Sequence, residues 1–322
     1  MRVIARQDAR GNDMKFLAAI ALVALASGCA SIPSGPPPPS PPTVSVFAVA
    51  HQDDWQLFMN PDAYHAMNEP QEKAVFIHVT AGDAGAGAGA GGEPVPYYLA
   101  REEGALRAVR FMANAADPTI GKGARMDSAM VMRGGHGVQR YAYANAVVYF
   151  LRLPDGNIVN GSVFTSHPES ITRLRSGEAA TSGTVEQSAR YEGWDDLLET
   201  LNDIVESERV AGSGLALHIA ELDEKMNPGD HPDHRATAQA MEDVAKMHAC
   251  VPVYRHIEYF TRTRPVNVTG EDYMIDVGTW AATASGLSDN HAKATWEDGH
   301  NAWIGRNYFR VTPATGACGS PS

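Results

Sequence analysis

Two short stretches of the chain bring imidazoles and carboxylates close enough together to do chemistry: His51-Gln52-Asp53-Asp54 and His231-Pro232-Asp233-His234. A catalytic zinc ion takes three protein ligands from imidazole and carboxylate and keeps one position open for water. His51, Asp54 and His234 supply such a two-His, one-carboxylate set. Asp53, one residue from a ligand, is suited to accept a proton from a metal-activated water as general base. His231 is a spare imidazole that can stabilise a developing oxyanion or protonate a leaving amine, and Asp233 can orient it through its other ring nitrogen. Together these groups suffice for metal-assisted hydrolysis. A plainer reading runs beside it: Asp53 and Asp54 can cap a helix, and the second cluster can be a turn with an Asp cap on the helix that follows. Capping and ligation are compatible.

Such residues act only if strands and helices bring them together. Thr43–Ala50 and Ala74–Val79 are short apolar runs that read as buried strands. A segment of helical length lies between them, and a helix over Tyr97–Ala115 follows the second, with Leu99, Leu106, Val109 and Met112 on its apolar face. Ser128–Met132, Arg140–Tyr149 and Phe150–Leu153 are strand-like and separated by turns, which suggests an antiparallel insertion. Trp194–Val205 reads as a helix, Gly214–Ile219 as a buried strand, Ala236–His248 as a helix and Val251–Phe260 as a further strand, with a short helix near Ala282. The alternation predicts an α/β, Rossmann-like fold: a mostly parallel sheet with helices on both faces and an antiparallel extension. Both clusters then fall at strand-to-helix crossings, where open α/β sheets gather ligand groups.

Composition narrows the partners. The 322 residues are 44% hydrophobic and 20% charged, enough for a large core, and the formal charge of −12 argues against nucleic acid, whose phosphates require a positive face. Gly87, Gly89 and Gly92 match a dinucleotide-loop pattern, but inside a Gly/Ala repeat such a match arises from composition, and a mobile loop with no nucleotide cofactor is the better reading.

The N-terminus carries an address. Lys15 and the apolar run Leu17–Leu25 have the form of a signal peptide over residues 1–28, with Met14 a better start than Met1, and the run is too short to span a membrane. Ala26-Ser27-Gly28-Cys29 resembles a bacterial lipobox, which implies a lipid on Cys29, export, and a membrane anchor on the periplasmic side, with the outer membrane favoured because Ala30 follows the cysteine. A buried hairpin helix with an incidental cysteine is the alternative. Residues 29–42 then form a Pro-rich tether to one domain over 43–322. In an oxidising compartment Cys250 and Cys318 are expected to pair and pin the C-terminal tail, against two separate buried thiols.

The segments Ala50-His51-Gln52-Asp53-Asp54-Trp55 and His231–His234 resemble the first and late motifs of the PIG-L or LmbE-like zinc-dependent de-N-acetylases, and Val79–Gly85 and Arg101–Ala105 resemble intermediate segments of a bacterial subgroup. The similarity spans roughly residues 43–260. It implies zinc on His51, Asp54 and His234, Asp53 as base, His231 as acid or oxyanion partner, and Arg101 facing substrate. Trp55 replaces an acid common in that family and is expected either to stack on a sugar ring or to pack, and Asp83 to shape its loop. The activity implied is removal of an acetyl group from an N-acetylated amino sugar in a glycan or glycolipid. A silent carbohydrate-binding lipoprotein and a zinc amidohydrolase for a non-sugar amide are the alternatives.

Overall fold

An apolar run with side chains of both parities buried needs cover on both faces. The computed structural model, which describes residues 42–89, 95–121, 123–156, 158–160, 163–165 and 167–312, provides it. β1 (Thr43–Val49) and β2 (Glu72–Thr80) lie side by side in the middle of a sheet. Val44, Val46, Ala48, Val75 and Ile77 point into one core, and Phe47, Val49, Ala74 and Phe76 into the other.

α1 (Asp54–Phe58) and α2 (Asp62–Asn68) link β1 to β2, and α3 (Tyr97–Ala116) follows. Next come β3 (Asp127–Arg133), β4 (His136–Tyr143) and β5 (Ala146–Leu153), a small hairpin of β6 (Ile158–Asn160) and β7 (Val163–Thr165), and α4 (Ile171–Ser176). The two-residue strands β8 (Ser182–Gly183) and β9 (Arg190–Tyr191) precede α5 (Trp194–Glu208), β10 (Gly214–Ala220), α6 (Pro232–Ala245) and β11 (Val253–His256). A 3-10 turn (Tyr259–Thr263), α7 (Gly270–Asp289), α8 (Asp298–Asn301) and β12 (Phe309–Thr312) complete the described chain.

The main sheet has eight strands in the order β12-β11-β10-β1-β2-β5-β4-β3. β11, β10, β1, β2 and β5 are parallel, β12 at one edge runs against them, and at the other edge β4 pairs antiparallel with both β5 and β3. The fold is therefore α/β with a mostly parallel sheet, as expected. Helices α4, α5 and α6 cover one face, and α1, α2, α3 and α7 the other. The chain leaves β1 toward β2 on one side and returns as β10 on the other. That reversal opens a crevice at the carboxyl ends of β1 and β10.

Four expectations need correction. Val251–Phe260 is a strand only over Val253–His256, and a 3-10 turn begins at Tyr259. Arg140–Tyr149 is not one strand: a turn at Ala144 and Asn145, with Ala144 at φ 54°, divides it. The second part continues through Leu153 as β5 and pairs parallel with β2, so it belongs to the main sheet. α6 starts at Pro232 and not at Ala236, because Pro232 supplies the fixed φ that suits a first helical position. The short helix near Ala282 is the twenty-residue α7, whose small residues give no clear apolar stripe. Among the described residues no helix is long and apolar enough to cross a membrane. The signal peptide, Cys29, the tether, Gly92 and Cys318 all lie outside the described residues. Cys250 is disulfide-bonded.

Small residues let α7 approach α3 closely. A Cβ on Gly286 would fall 2.6 Å from the Gly104 backbone, and one on Gly104 would fall 2.9 Å from the Thr283 carbonyl. Gly286→Ala should therefore destabilise the protein by about 1–3 kcal/mol in urea unfolding, the usual range for overpacking. An unchanged midpoint would show that the two helices are not held in contact.

Candidate functional site

The turn after β1 is fixed from the neighbouring strand end. Thr80 donates to the Ala50 carbonyl through both its backbone N–H (3.0 Å) and its hydroxyl (2.9 Å), and Gln52 Nε2 donates to the Ala81 carbonyl at 2.8 Å. His51 N–H donates to Asp54 Oδ2 at 2.7 Å, which fixes that carboxylate at the head of α1. Across the crevice His231 caps α6: its Nδ1 accepts the Asp233 N–H at 3.1 Å, and His234 follows on the first turn. Capping and site chemistry coexist here, but the cap is the imidazole and not an Asp. Asp53 holds the N-cap position of α1 and makes no side-chain cap bond, which leaves its carboxylate for other work.

These two anchors bring together residues 183 positions apart. His51 Nδ1 is 3.0 Å from His234 Nε2, His234 Nε2 is 3.1 Å from Asp54 Oδ1, and His51 Nδ1 is 3.4 Å from Asp54 Oδ2. Four ligands around zinc at about 2.0–2.1 Å stand about 3.3 Å from one another. The three separations are of that size, with the two rings meeting different oxygens of the Asp54 carboxylate. The tautomers agree: His234 Nδ1 donates to Asp230 Oδ1 at 2.9 Å, with the Glu258 carboxylate against the same nitrogen, so Nε2 offers its lone pair to the centre. His51 Nε2 points away, 3.8 Å from Asp155 Oδ2. His51, His231 and His234 also have donor atoms within 4.8 Å of one another, as do His51, Asp155, His231 and Asp233. This buried His/Asp group could hold a metal ion.

The electrostatics call for a cation. Burial alone would lower the His51 pKa, but Asp54 and Asp155 outweigh it and push it up to about 10. Burial likewise opposes charge on His234, and Asp54, Glu258 and Asp230 raise its pKa well above the ordinary value. Burial would raise the Asp54 pKa, yet His234 and His51 hold it well below the usual range. Glu258 is pushed up to about 8, chiefly by burial. His231 is the exception. Burial first, then the neighbouring His51 and His234, lower it to about 2, so it stays neutral. With Nδ1 accepting a backbone N–H, its proton sits on Nε2, which lies 4.0 Å from Asp155 Oδ1 and lines the cavity.

That cavity is about 430 Å³. His51, Asp53, Asp54, Arg101, Asp155 and His231 form its polar side, and Leu57, Phe58, Tyr97, Tyr259, His300 and Trp303 line the rest. Arg101 pairs with Asp53 Oδ1 and donates to the Gly82 carbonyl at 2.7 Å. Its guanidinium thus anchors Asp53 while lining the cavity. The other Asp53 oxygen, Oδ2, lies 3.9 Å from His300 Nε2.

Two assignments change. The Asp233 carboxylate does not orient His231: it accepts from Gly156 N–H at 2.6 Å and Thr172 Oγ1 at 3.2 Å, and only its backbone N–H reaches the imidazole. A side chain on Gly156 would fall 2.4 Å from Asp233 Oδ1, so that loop needs glycine. Trp55 does not reach a sugar. It is fully buried against Phe76, and its Nε1 donates to His78 Nε2 at 3.1 Å. Asp83 shapes its loop as expected, accepting from Asp155 N–H and Gly87 N–H.

Asp155, Asp230, Glu258, His300, Tyr259 and Trp303 were not read as site residues. Asp155 had a usable signal, since it stands two residues beyond the end of an apolar strand run, as His51 does beyond β1. Asp230 flanks the second motif, while Glu258, Tyr259, His300 and Trp303 come from short C-terminal segments with no motif. No family model and no curated protein matches the chain.

Because the His51 pKa is raised, its protonation stabilises the metal-free fold fully below about pH 6.5 and is lost as pH rises toward 10. The metal-free protein should thus lose stability across that window, while zinc affinity rises through it as the competing proton leaves. Zinc titrations at pH 6, 7.5 and 9 test this, and an affinity independent of pH would contradict the charge arrangement.

Proposed function

We propose that the protein is a zinc-dependent hydrolase of the PIG-L or LmbE-like kind that removes the acetyl group from an N-acetylated amino sugar, acting as an exported, lipid-anchored envelope enzyme. The observation that carries this reading is the convergence of His51 Nδ1, His234 Nε2 and the Asp54 carboxylate at 3.0–3.4 Å beside an uncapped Asp53. Those three residues would hold zinc, which supplies Lewis acidity toward the amide oxygen and makes water a nucleophile near neutral pH.

The side chains do the rest. Asp53, with Oδ1 engaged by Arg101, uses Oδ2 to accept the proton of the attacking water. His231 is neutral with its proton on Nε2, so it serves as a hydrogen-bond donor to the oxyanion that forms as water adds to the carbonyl. As the C–N bond breaks, the proton on Asp53 passes to the departing nitrogen, and Asp53 is restored. Tyr259 and Trp303 are stacked with centroids 5.1 Å apart at the cavity wall and give a surface for the apolar face of a pyranose ring. The N-terminal address, inferred from sequence, makes the substrate a cell-envelope glycan or glycolipid.

Amine release from N-acetylglucosamine oligosaccharides tests the reading. Asp53→Asn should lower it by about 10²–10⁴-fold, the usual contribution of a general base, with zinc content and sugar affinity unchanged. A wild-type protein that holds zinc and binds the sugars but frees no amine would leave a carbohydrate-binding protein in its place. Full activity in Asp53→Asn would remove Asp53 from the mechanism.

A further inference from the structure

β10 and β11 carry a second histidine pair outside the cavity described above. His218 Nδ1 lies 3.1 Å from His256 Nε2, the same combination of ring atoms, at nearly the same distance, as His51 Nδ1 and His234 Nε2. A carboxylate accompanies this pair too: ligand atoms of Asp62, His218 and His256 lie within 4.8 Å of one another. One amide holds two of the three. His256 Nδ1 lies 3.3 Å from Asn307 Oδ1, and Asn307 Nδ2 donates to Asp62 Oδ2 at 3.0 Å. A proton on His256 Nδ1 directed at that carbonyl leaves the Nε2 lone pair facing His218, as outer-sphere partners do at metal sites. His218 is preset as well, its ring stacked between Phe47 at 4.2 Å and Tyr254 at 4.4 Å.

Access comes from a cavity of about 380 Å³ between α2 and the sheet, lined by Asp62 and His218 and also by His65, Glu69 and Glu72. Its carboxylates attract cations, and its volume admits solvent to complete a coordination sphere. We propose that His218 Nδ1, His256 Nε2 and an Asp62 carboxylate oxygen form a second divalent transition-metal site, open to solvent on the cavity side. Two imidazoles and one carboxylate suit zinc, nickel, copper or iron(II) rather than calcium or magnesium. An N–H···N hydrogen bond would account for the ring contact alone, but not for the carboxylate held to the same centre through Asn307. The proposal does not rest on the hydrolase reading.

Metal-stripped full-length protein is titrated with Zn2+, and bound metal per chain is measured after gel filtration. Wild type should bind two equivalents, and His51→Ala, His218→Phe and Asp62→Asn one each. Phenylalanine keeps the aromatic stack at 218, and Asp62 is only partly buried, so if His218→Phe does not fold, Asp62→Asn decides. In the His51→Ala background, zinc should raise the thermal midpoint, and adding Asp62→Asn should abolish that rise. One equivalent in wild type that disappears in His51→Ala, or a second equivalent that survives either Asp62→Asn or a folded His218→Phe, overturns the proposal.

Discussion

Two imidazole nitrogens 3.0 Å apart with a carboxylate against both, buried away from water, need a proton or a metal cation between them. With neither, the lone pairs repel and the Asp54 carboxylate is left uncompensated. The surroundings intensify the demand. Asp155 faces His51, and Asp230 and Glu258 face His234, so four carboxylates crowd two rings. Much of the nearby fold serves to hold this centre against its own electrostatics. Thr80 and Gln52 tie the turn after β1 to the end of β2, and His231 caps the helix that presents His234.

Adjacent carboxylates have been given opposite surroundings. Asp54 turns inward to the two rings, while Asp53 turns outward to Arg101 and the cavity. In the proposed hydrolysis a metal ligand must stay ionised and fixed, and a base must exchange protons with substrate. Placing the pair at the first turn of α1 separates these tasks within two residues, because successive helical side chains point about 100° apart. The environments rather than the residue types assign the roles.

The strand runs at β1, β2 and β10 were legible because burial on both faces leaves an uninterrupted apolar signature, and the two clusters because His and Asp at such spacing are chemically unusual. Their flanks were harder to read. Trp55 and Asp233 invited roles from residue type and neighbourhood, yet each lies one residue from a site group and points elsewhere. Adjacency along a helix places side chains on different faces, so Asp233 meets His231 only through its backbone. α7 was underestimated for a related reason. Its contact with α3 depends on the absence of side chains at Gly104 and Gly286, and hydrophobic periodicity carries no sign of a surface made by what is missing. Asp230 and Glu258 come from loops, and His300 from the one-turn α8, whose positions depend on the completed sheet.

β11 adds a constraint that neither cluster discloses in sequence. It ends in His256, which meets His218, and two residues later Glu258 meets His234. The orientation of the Glu258 carboxylate therefore depends on how firmly the end of this strand is held. β11 is only four residues long, with the antiparallel β12 on its outer side. The Glu258 N–H is tied to Asn227 Oδ1 at 3.2 Å, one residue back the Ile257 N–H donates to the Tyr308 carbonyl at 2.8 Å, and behind that comes the His218–His256 contact. A short strand near the edge of a sheet is ordinarily among the more easily opened parts of a fold. Here the paired imidazoles add to the backbone bonds of Ile257 and Glu258 in supporting the carboxylate behind His234.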